Sequence, residues 1–218
     1  MDPAAHDASL KLDPQVQKPE DTIMTVLTRK GEETRRRIVT GAAAEIRERG
    51  AAATRLEDVM ARTSTSKSQL FHYFPGGKEE LLLAVARHEA DQVLADQQPM
   101  LGELTSWPAW QAWRDSVVRR YLAQGPECPL NSLLGQMSGR SPGARAVTTE
   151  LIRQWQQALI TGIRHMQSIG EIAPTVDADR TAAALIAGIQ GGVIVFLSTG
   201  RITHLEAALD VAIENLRA

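Results

Sequence analysis

The sequence predicts an all-α protein of about nine helices, a small basic three-helix head followed by a larger helical body. Three observations carry this reading. Apolar residues recur at helical spacing throughout, and no stretch alternates apolar and polar residues over a strand length with β-branched enrichment. Charge is unevenly divided: residues 22–88 hold 12 basic and 8 acidic side chains, against 2 and 5 in residues 1–21 and 10 and 13 in residues 89–218. Near the front, two short helical patterns joined by a tight turn precede a strong Pro75-Gly76-Gly77 stop.

The elements follow from local signals. Ile38, Ala42 and Ile46 share a face of a first helix from about Glu32 to Arg49, which Gly50 ends as a C-terminal cap. Thr54 is the expected N-cap of the second helix, with Glu57 completing a capping box. Thr63-Ser64-Thr65 interrupts the pattern, and a short third helix spans Ser66 to Tyr73. A long helix opens at Lys78 and reaches about Gln97. Downstream, Ser106 caps a helix to about Ala123 with Pro108 in its first turn. A short helix is expected over Cys128–Met137 and a long one over Pro142–Gln167, with Asp177–Ser198 and His204–Arg217 closing the chain. The domain division expected is a disordered tail over residues 1–27, a head over 28–88 and a body over 89–218.

Several function classes fit poorly. Cys128 is the single cysteine, which excludes an intramolecular disulfide framework and a cysteine-based zinc site. The five histidines have no metal-ligand spacing, and neither Cys128 nor His165 has a legible orienting partner for nucleophilic catalysis. No metal, cofactor or enzymatic activity is expected; an enzyme using Cys128 is the weakest rival. The first 22 residues lack the apolar run of a secretory signal, and Met24 offers an alternative start. The 20 uncharged residues between Arg180 and Arg201 could span a bilayer by length, but Gly188, Gln190, Gly191, Gly192 and the alanines suit a buried bundle helix better. The expectation is a cytoplasmic protein without a membrane segment.

The basic segment points to nucleic acid. Two short helices with a three- or four-residue turn have the helix-turn-helix layout, whose second helix enters the major groove. Leu70 and Phe74 form an i, i+4 apolar pair on the third helix, leaving Lys67, Ser68, Gln69 and His72 on the opposite face. Gln pairs with adenine N6/N7, Lys with guanine O6/N7, and Ser with either. Thr54, Arg55, Ser66, Tyr73 and Lys78 stand at element ends, where side-chain donors and backbone amides meet phosphate oxygens. The competing reading is a merely solvated helix face.

These residues bring a family into view. The stretch from Thr34 to Leu82 resembles the DNA-binding domain of TetR-family transcriptional regulators. Ile38-Val39, Ala42, Ile46, Gly50, Thr54, Asp58-Val59, Ser66-Lys67, the run from Leu70 to Phe74 and Lys78-Glu79-Glu80-Leu81 fall at that family's spacing. The resemblance implies that Lys67, Ser68 and Gln69 face bases and that Thr54, Tyr73 and Lys78 touch phosphates. Four positions depart from the pattern. Ser64 and Thr65 stand where a glycine and an apolar residue are usual, and Glu45 replaces an apolar residue. A positive φ at Ser64 would be strained by about 1 kcal/mol. Gln69 replaces a small residue, so the operator read is expected to be unusual.

In the body, Trp110, Trp113 and Val117 share one face, as do Leu151, Trp155, Leu159 and Met166. Trp110, Trp113, Met137, Trp155, Leu159, Gln190 and Phe196 are candidates to line an apolar small-molecule cavity, with core packing as the competing reading for each. Ala184, Gly188 and Gly192 recur at i, i+4, i+8, and Leu205, Leu209 and Ile213 form a stripe on the last helix. Such a pair can build a four-helix bundle with a twofold mate, or can be internal core. The resemblance implies the homodimer, with two reading helices in successive major grooves about 34 Å apart, and an effector in the C-terminal domain. The nine residues from Gly125 to Leu133 are similar to a stretch of the LmrA/YxaF-like branch. The function expected is a homodimeric repressor released from an operator by a small molecule. The alternative is a ligand-independent architectural DNA binder whose body only dimerises.

Overall fold

The computed structural model describes residues 28–125, 130 and 142–217. Among these there are eight α-helices, one 3-10 turn and no strand. The helices are α1 (Arg29–Ala53), α2 (Leu56–Thr63), α3 (Lys67–Tyr73), α4 (Gly77–Ala95), α5 (Trp107–Gln124), α6 (Pro142–Ser168), α7 (Ala178–Thr199) and α8 (Thr203–Arg217), with the 3-10 turn over Met100–Gly102. The expected tail and, Leu130 apart, the expected helix over Cys128–Met137 lie outside the described residues, as does most of the stretch similar to the LmrA/YxaF-like branch.

The head is built on α1. Its apolar positions Ile38, Ala42 and Ile46 are buried as the spacing requires. Gly50 interrupts the helix at φ 77°, a conformation that glycine adopts without strain. One expectation shifts here by a residue. Thr54 does not cap α2; its N–H and hydroxyl both donate to the Gly50 carbonyl and finish α1. Arg55 takes the N-cap position, and Asp58 rather than Glu57 accepts from its backbone N–H at 3.2 Å.

The two unusual turn residues are accommodated differently. Ser64 adopts the left-handed conformation at φ 48°, ψ 46°, so the expected strain is present. Ser64→Gly is expected to raise stability by about 1 kcal/mol, read as a higher urea midpoint with an unchanged slope. Thr65 is buried where an apolar residue is usual, and its hydroxyl is satisfied by donating to the Thr63 carbonyl at 3.2 Å, beside the Thr63 hydroxyl at 2.8 Å. The Thr63 hydroxyl in turn donates to Val59 O at 2.7 Å.

Helix α4 belongs to both halves of the molecule. Arg47 of α1 pairs with the buried Glu89 of α4 at 2.9 Å. Toward the body, α4 packs on α6, where a Cβ on Gly143 would meet the Leu83 side chain at 2.8 Å. Ser106 caps α5 as expected, accepting from Ala109 N–H. Gly162 of α6 lets Leu104 and the Trp110 ring approach to within 3.2 Å of where its Cβ would be.

The last two helices correct the expected interface. Gly192, Leu205, Leu209 and Ile213 are buried within one protomer. A Cβ on Gly192 would stand 2.6 Å from Leu205 Cα, so this glycine is where α7 and α8 touch each other. Gly188 likewise faces Ala208, at an ordinary 3.4 Å. Of the six residues expected at a dimer interface, Ala184 is exposed and Gly188 half-buried. Among the exposed apolar or small residues of the pair are Ala187, Gly191, Ile194 and Val211, with Ile194 57% and Val211 54% exposed. Helix α7 is long and apolar enough to cross a membrane, with a mean hydropathy of 1.8 over its most apolar stretch, yet one side of it is packed against α6 and α8.

Candidate nucleic-acid interface

Helix α3 is short, and tertiary anchoring rather than propensity holds it. Leu70 and Phe74 are both fully buried, which fixes the helix to the head through the predicted apolar pair. Arg35 of α1 lies over the Phe74 ring at 5.1 Å. The N-terminus is closed by a reciprocal box. Ser66 Oγ accepts from Gln69 N–H at 3.2 Å, and Gln69 Oε1 accepts from Ser66 N–H at 3.1 Å.

This anchoring leaves Ser66, Lys67, Ser68, Gln69 and His72 exposed together. Phe71, which sequence reasoning did not assign to the interface, is 39% exposed beside them, an apolar edge suited to a thymine methyl. Gln69 has two roles: its carbonyl oxygen is held by the cap, while its amide nitrogen makes no hydrogen bond to a described residue. Tyr73 is half-buried and meets the His72 ring edge-on at 4.9 Å, which orients the phenol at the end of α3.

The two remaining candidates meet at the start of α4. Lys78 Nζ donates to the Thr54 carbonyl at 2.6 Å, tying α4 to the junction of α1 and α2. Thr54 therefore departs from the expected direct contact. It is 3% exposed and its hydroxyl is engaged by Gly50, so it supports the surface from beneath. Arg55, one residue on, is exposed at the end of α2.

The unusual Glu45 has a visible purpose. It is buried on α1 and receives Arg62 Nε of α2 at 2.6 Å, with Arg49 Nε at 3.3 Å on its other oxygen. Arg62 also bonds Glu48, and Arg49 reaches Asp58 at 3.3 Å. Hydrogen bonds to Glu48 and Glu45 hold the Arg62 guanidinium above its ordinary pKa. This network clamps α2 to α1. It also neutralises Arg62 and Arg49, so part of the head's positive charge is structural rather than presented to a ligand.

The expected cavity residues sit in the core. Trp110, Trp113, Trp155 and Leu159 are 0–1% exposed and Phe196 is 4% exposed. These side chains are buried as core packing requires. Trp110 and Trp113 stack edge-to-face at 5.8 Å. Trp113 Nε1 donates to Gln97 Oε1 at 2.8 Å, whereas the buried indole N–H groups of Trp110 and Trp155 have no partner among the described residues. Gln190 is half-buried, and Met137 lies outside the described residues. Among the described residues no group of three or more His, Cys, Asp or Glu side chains could hold a metal ion.

Known proteins place this architecture. Residues 38–85 match the family described as bacterial regulatory proteins, tetR family, and residues 108–212 match the tetracyclin repressor-like C-terminal domain. The crystal structure of a TetR transcriptional regulator from Chloroflexus aurantiacus is 30% identical, with a TM-score of 0.68, over 86% of this chain and 96% of that one. A transcriptional regulator from Saccharomonospora viridis, solved in complex with choline, is 26% identical with a TM-score of 0.65 over 84% of this chain and 96% of that one. An HTH-type transcriptional regulator of Mycobacterium tuberculosis is 41% identical over 61 residues, which are 28% of this chain and only 31% of that relative's length. With both of its halves matched in order, and with that degree of identity along nearly the whole Chloroflexus protein, the chain belongs to the TetR family of transcriptional regulators.

Proposed function

We propose that this protein is a cytoplasmic homodimeric repressor that binds operator DNA through α3 and releases it when a small molecule binds the C-terminal body. The observation that carries the reading is the α3 surface. Five exposed polar side chains stand on a helix whose other face is locked by two fully buried residues, on the second helix of a helix-turn-helix. Lys67 and Gln69 read base edges; Arg55, Tyr73 and Lys78 hold phosphates. The exposed apolar or small residues Ala187, Gly191, Ile194 and Val211 support a twofold interface, where identical faces cover each other.

The N–H groups of Trp110 and Trp155, unpaired among the described residues, support an effector bearing hydrogen-bond acceptors. Each buried donor without a partner costs about 1–3 kcal/mol, and a ligand oxygen would recover it. Binding then requires the core to open, and the opening is transmitted along α4, which ties Lys78 and Thr54 at one end to α6 at the other. Choline, bound by the Saccharomonospora viridis regulator, is a rational first probe because tryptophan faces attract quaternary ammonium groups. The close packing of Trp110 and Trp155 favours a second reading, a DNA binder without an effector. Tryptophan fluorescence across a metabolite panel, followed by operator release, separates the two.

The test is retention of duplex DNA from the region flanking the coding sequence, at low ionic strength and without added metabolites. Retention of a subset of fragments supports the reading; retention of none overturns it.

A further inference from the structure

We propose that α1 carries a second DNA-binding face, a sequence-independent phosphate clamp built on Arg36 and Arg37 beside the base-reading helix. The inference rests on the DNA-binding function proposed above. Glu33, Arg36, Arg37, Thr40, Gly41 and Ala44 lie on one side of α1 and form one wall of an open concavity of about 680 Å³. The opposite wall is Arg62, Thr63 and Ser64, the end of α2 and its turn, and α3 begins three residues later at Lys67. The concavity therefore adjoins the N-terminal end of the reading helix.

Its charge is unbalanced in one direction. Glu33 is matched by Arg29 at 3.4 Å, and Arg62 is matched by Glu45 and Glu48. Arg36 and Arg37 are exposed and make no ion pair with a described residue. Two uncommitted guanidiniums on the rim, with the hydroxyls of Thr40 and Ser64 nearby, suit the oxygens of a polyanion passing the groove. The wall is also rigid. A Cβ on Gly41 would stand 2.2 Å from Thr63 Cγ2, so α1 is seated against the end of α2 and cannot drift from the reading helix. Base edges cannot be reached from α1 while α3 occupies the groove, so the clamp adds affinity without sequence preference.

The experiment compares the full chain with its Arg36→Gln/Arg37→Gln and Arg36→Lys/Arg37→Lys variants, by fluorescence anisotropy between about 50 and 200 mM salt. One probe duplex carries a binding site selected on the wild type and the other is unrelated. The glutamine pair is expected to flatten the log–log salt slope by about 1.8, since each phosphate contact contributes about 0.9. Its affinity deficit then shrinks about tenfold across that salt range. The preference between the two duplexes stays unchanged, and the lysine pair recovers the slope. An unchanged slope in the glutamine pair overturns the clamp while leaving α3 recognition standing. So does a lysine pair that fails to recover it, because the arginines would then be structural. A wild type that binds neither duplex overturns the DNA-binding reading itself.

Discussion

Gly192→Leu is expected to destabilise the body severely, and even Gly192→Ala to weaken it. The first carbon added at this position would stand 2.6 Å from Leu205 Cα and 2.9 Å from Leu205 N. Both are backbone atoms at the start of α8, so no rotamer change relieves the clash. Separating the helices would uncover Leu205 and Leu209, which are fully buried, together with Ile213. Overpacking of this kind costs about 1–3 kcal/mol for one methyl group. It outweighs the gain of about 1 kcal/mol that alanine brings to a helix interior. Leucine adds three more carbons to the same contact and exceeds 3 kcal/mol. Gly188 is the internal control. There a Cβ meets Ala208 Cβ at 3.4 Å, so Gly188→Ala is neutral or stabilising. Urea midpoints read by tryptophan fluorescence decide the matter: equal midpoints for Gly192→Ala and Gly188→Ala would refute the close contact.

Gln69 gives the second large effect, because one exposed side chain caps α3 and, in the proposed DNA-bound state, faces the groove. Gln69→Ala removes the acceptor for Ser66 N–H and the reading amide together, so lost discrimination and a frayed helix would be confounded. Gln69→Glu separates them. A carboxylate at this third helical position still accepts from Ser66 N–H and favours the positive end of the helix dipole, so thermal stability is kept. The outward group changes from a donor that suits adenine to an acceptor that suits cytosine N4. Preference at a single operator position is expected to move from adenine toward cytosine by about 1–3 kcal/mol, roughly five- to 150-fold. Overall affinity also falls through repulsion from phosphate. Lys78→Ala behaves differently. It weakens all duplexes alike and flattens the salt slope by about 0.9. Selection from a randomised duplex pool distinguishes the two: a Gln69→Glu protein with wild-type preference would remove Gln69 from base reading.

The head was the most legible part of the chain, since its signals are local. Gly50, Ser66, Gln69, Leu70 and Phe74 each act within a few residues of themselves, through a positive φ, a cap or an i, i+4 pair. The error at Thr54 was equally local and came from geometry that the letters do not carry. Gly50 turns the chain so that Thr54 reaches back to its carbonyl, and the α2 cap moves one residue on. Glu45 was visible as an oddity, but its partner Arg62 is 17 residues away and joins it only once α2 has docked.

Composition and periodicity by themselves determined the helical class, most of the described helices to within a few residues, the basic head and the wet face of α3. Tertiary packing decided the rest: which Trp N–H groups lack partners among the described residues, that Gly192 serves α8 of the same chain, and that Ile194 and Val211 stay exposed. The physical reason is that a helix apolar around most of its circumference, as α7 is, states that it will be buried without stating against what. A helix with one wet face has already declared its orientation. Only the packed neighbours choose among the sides of the other kind.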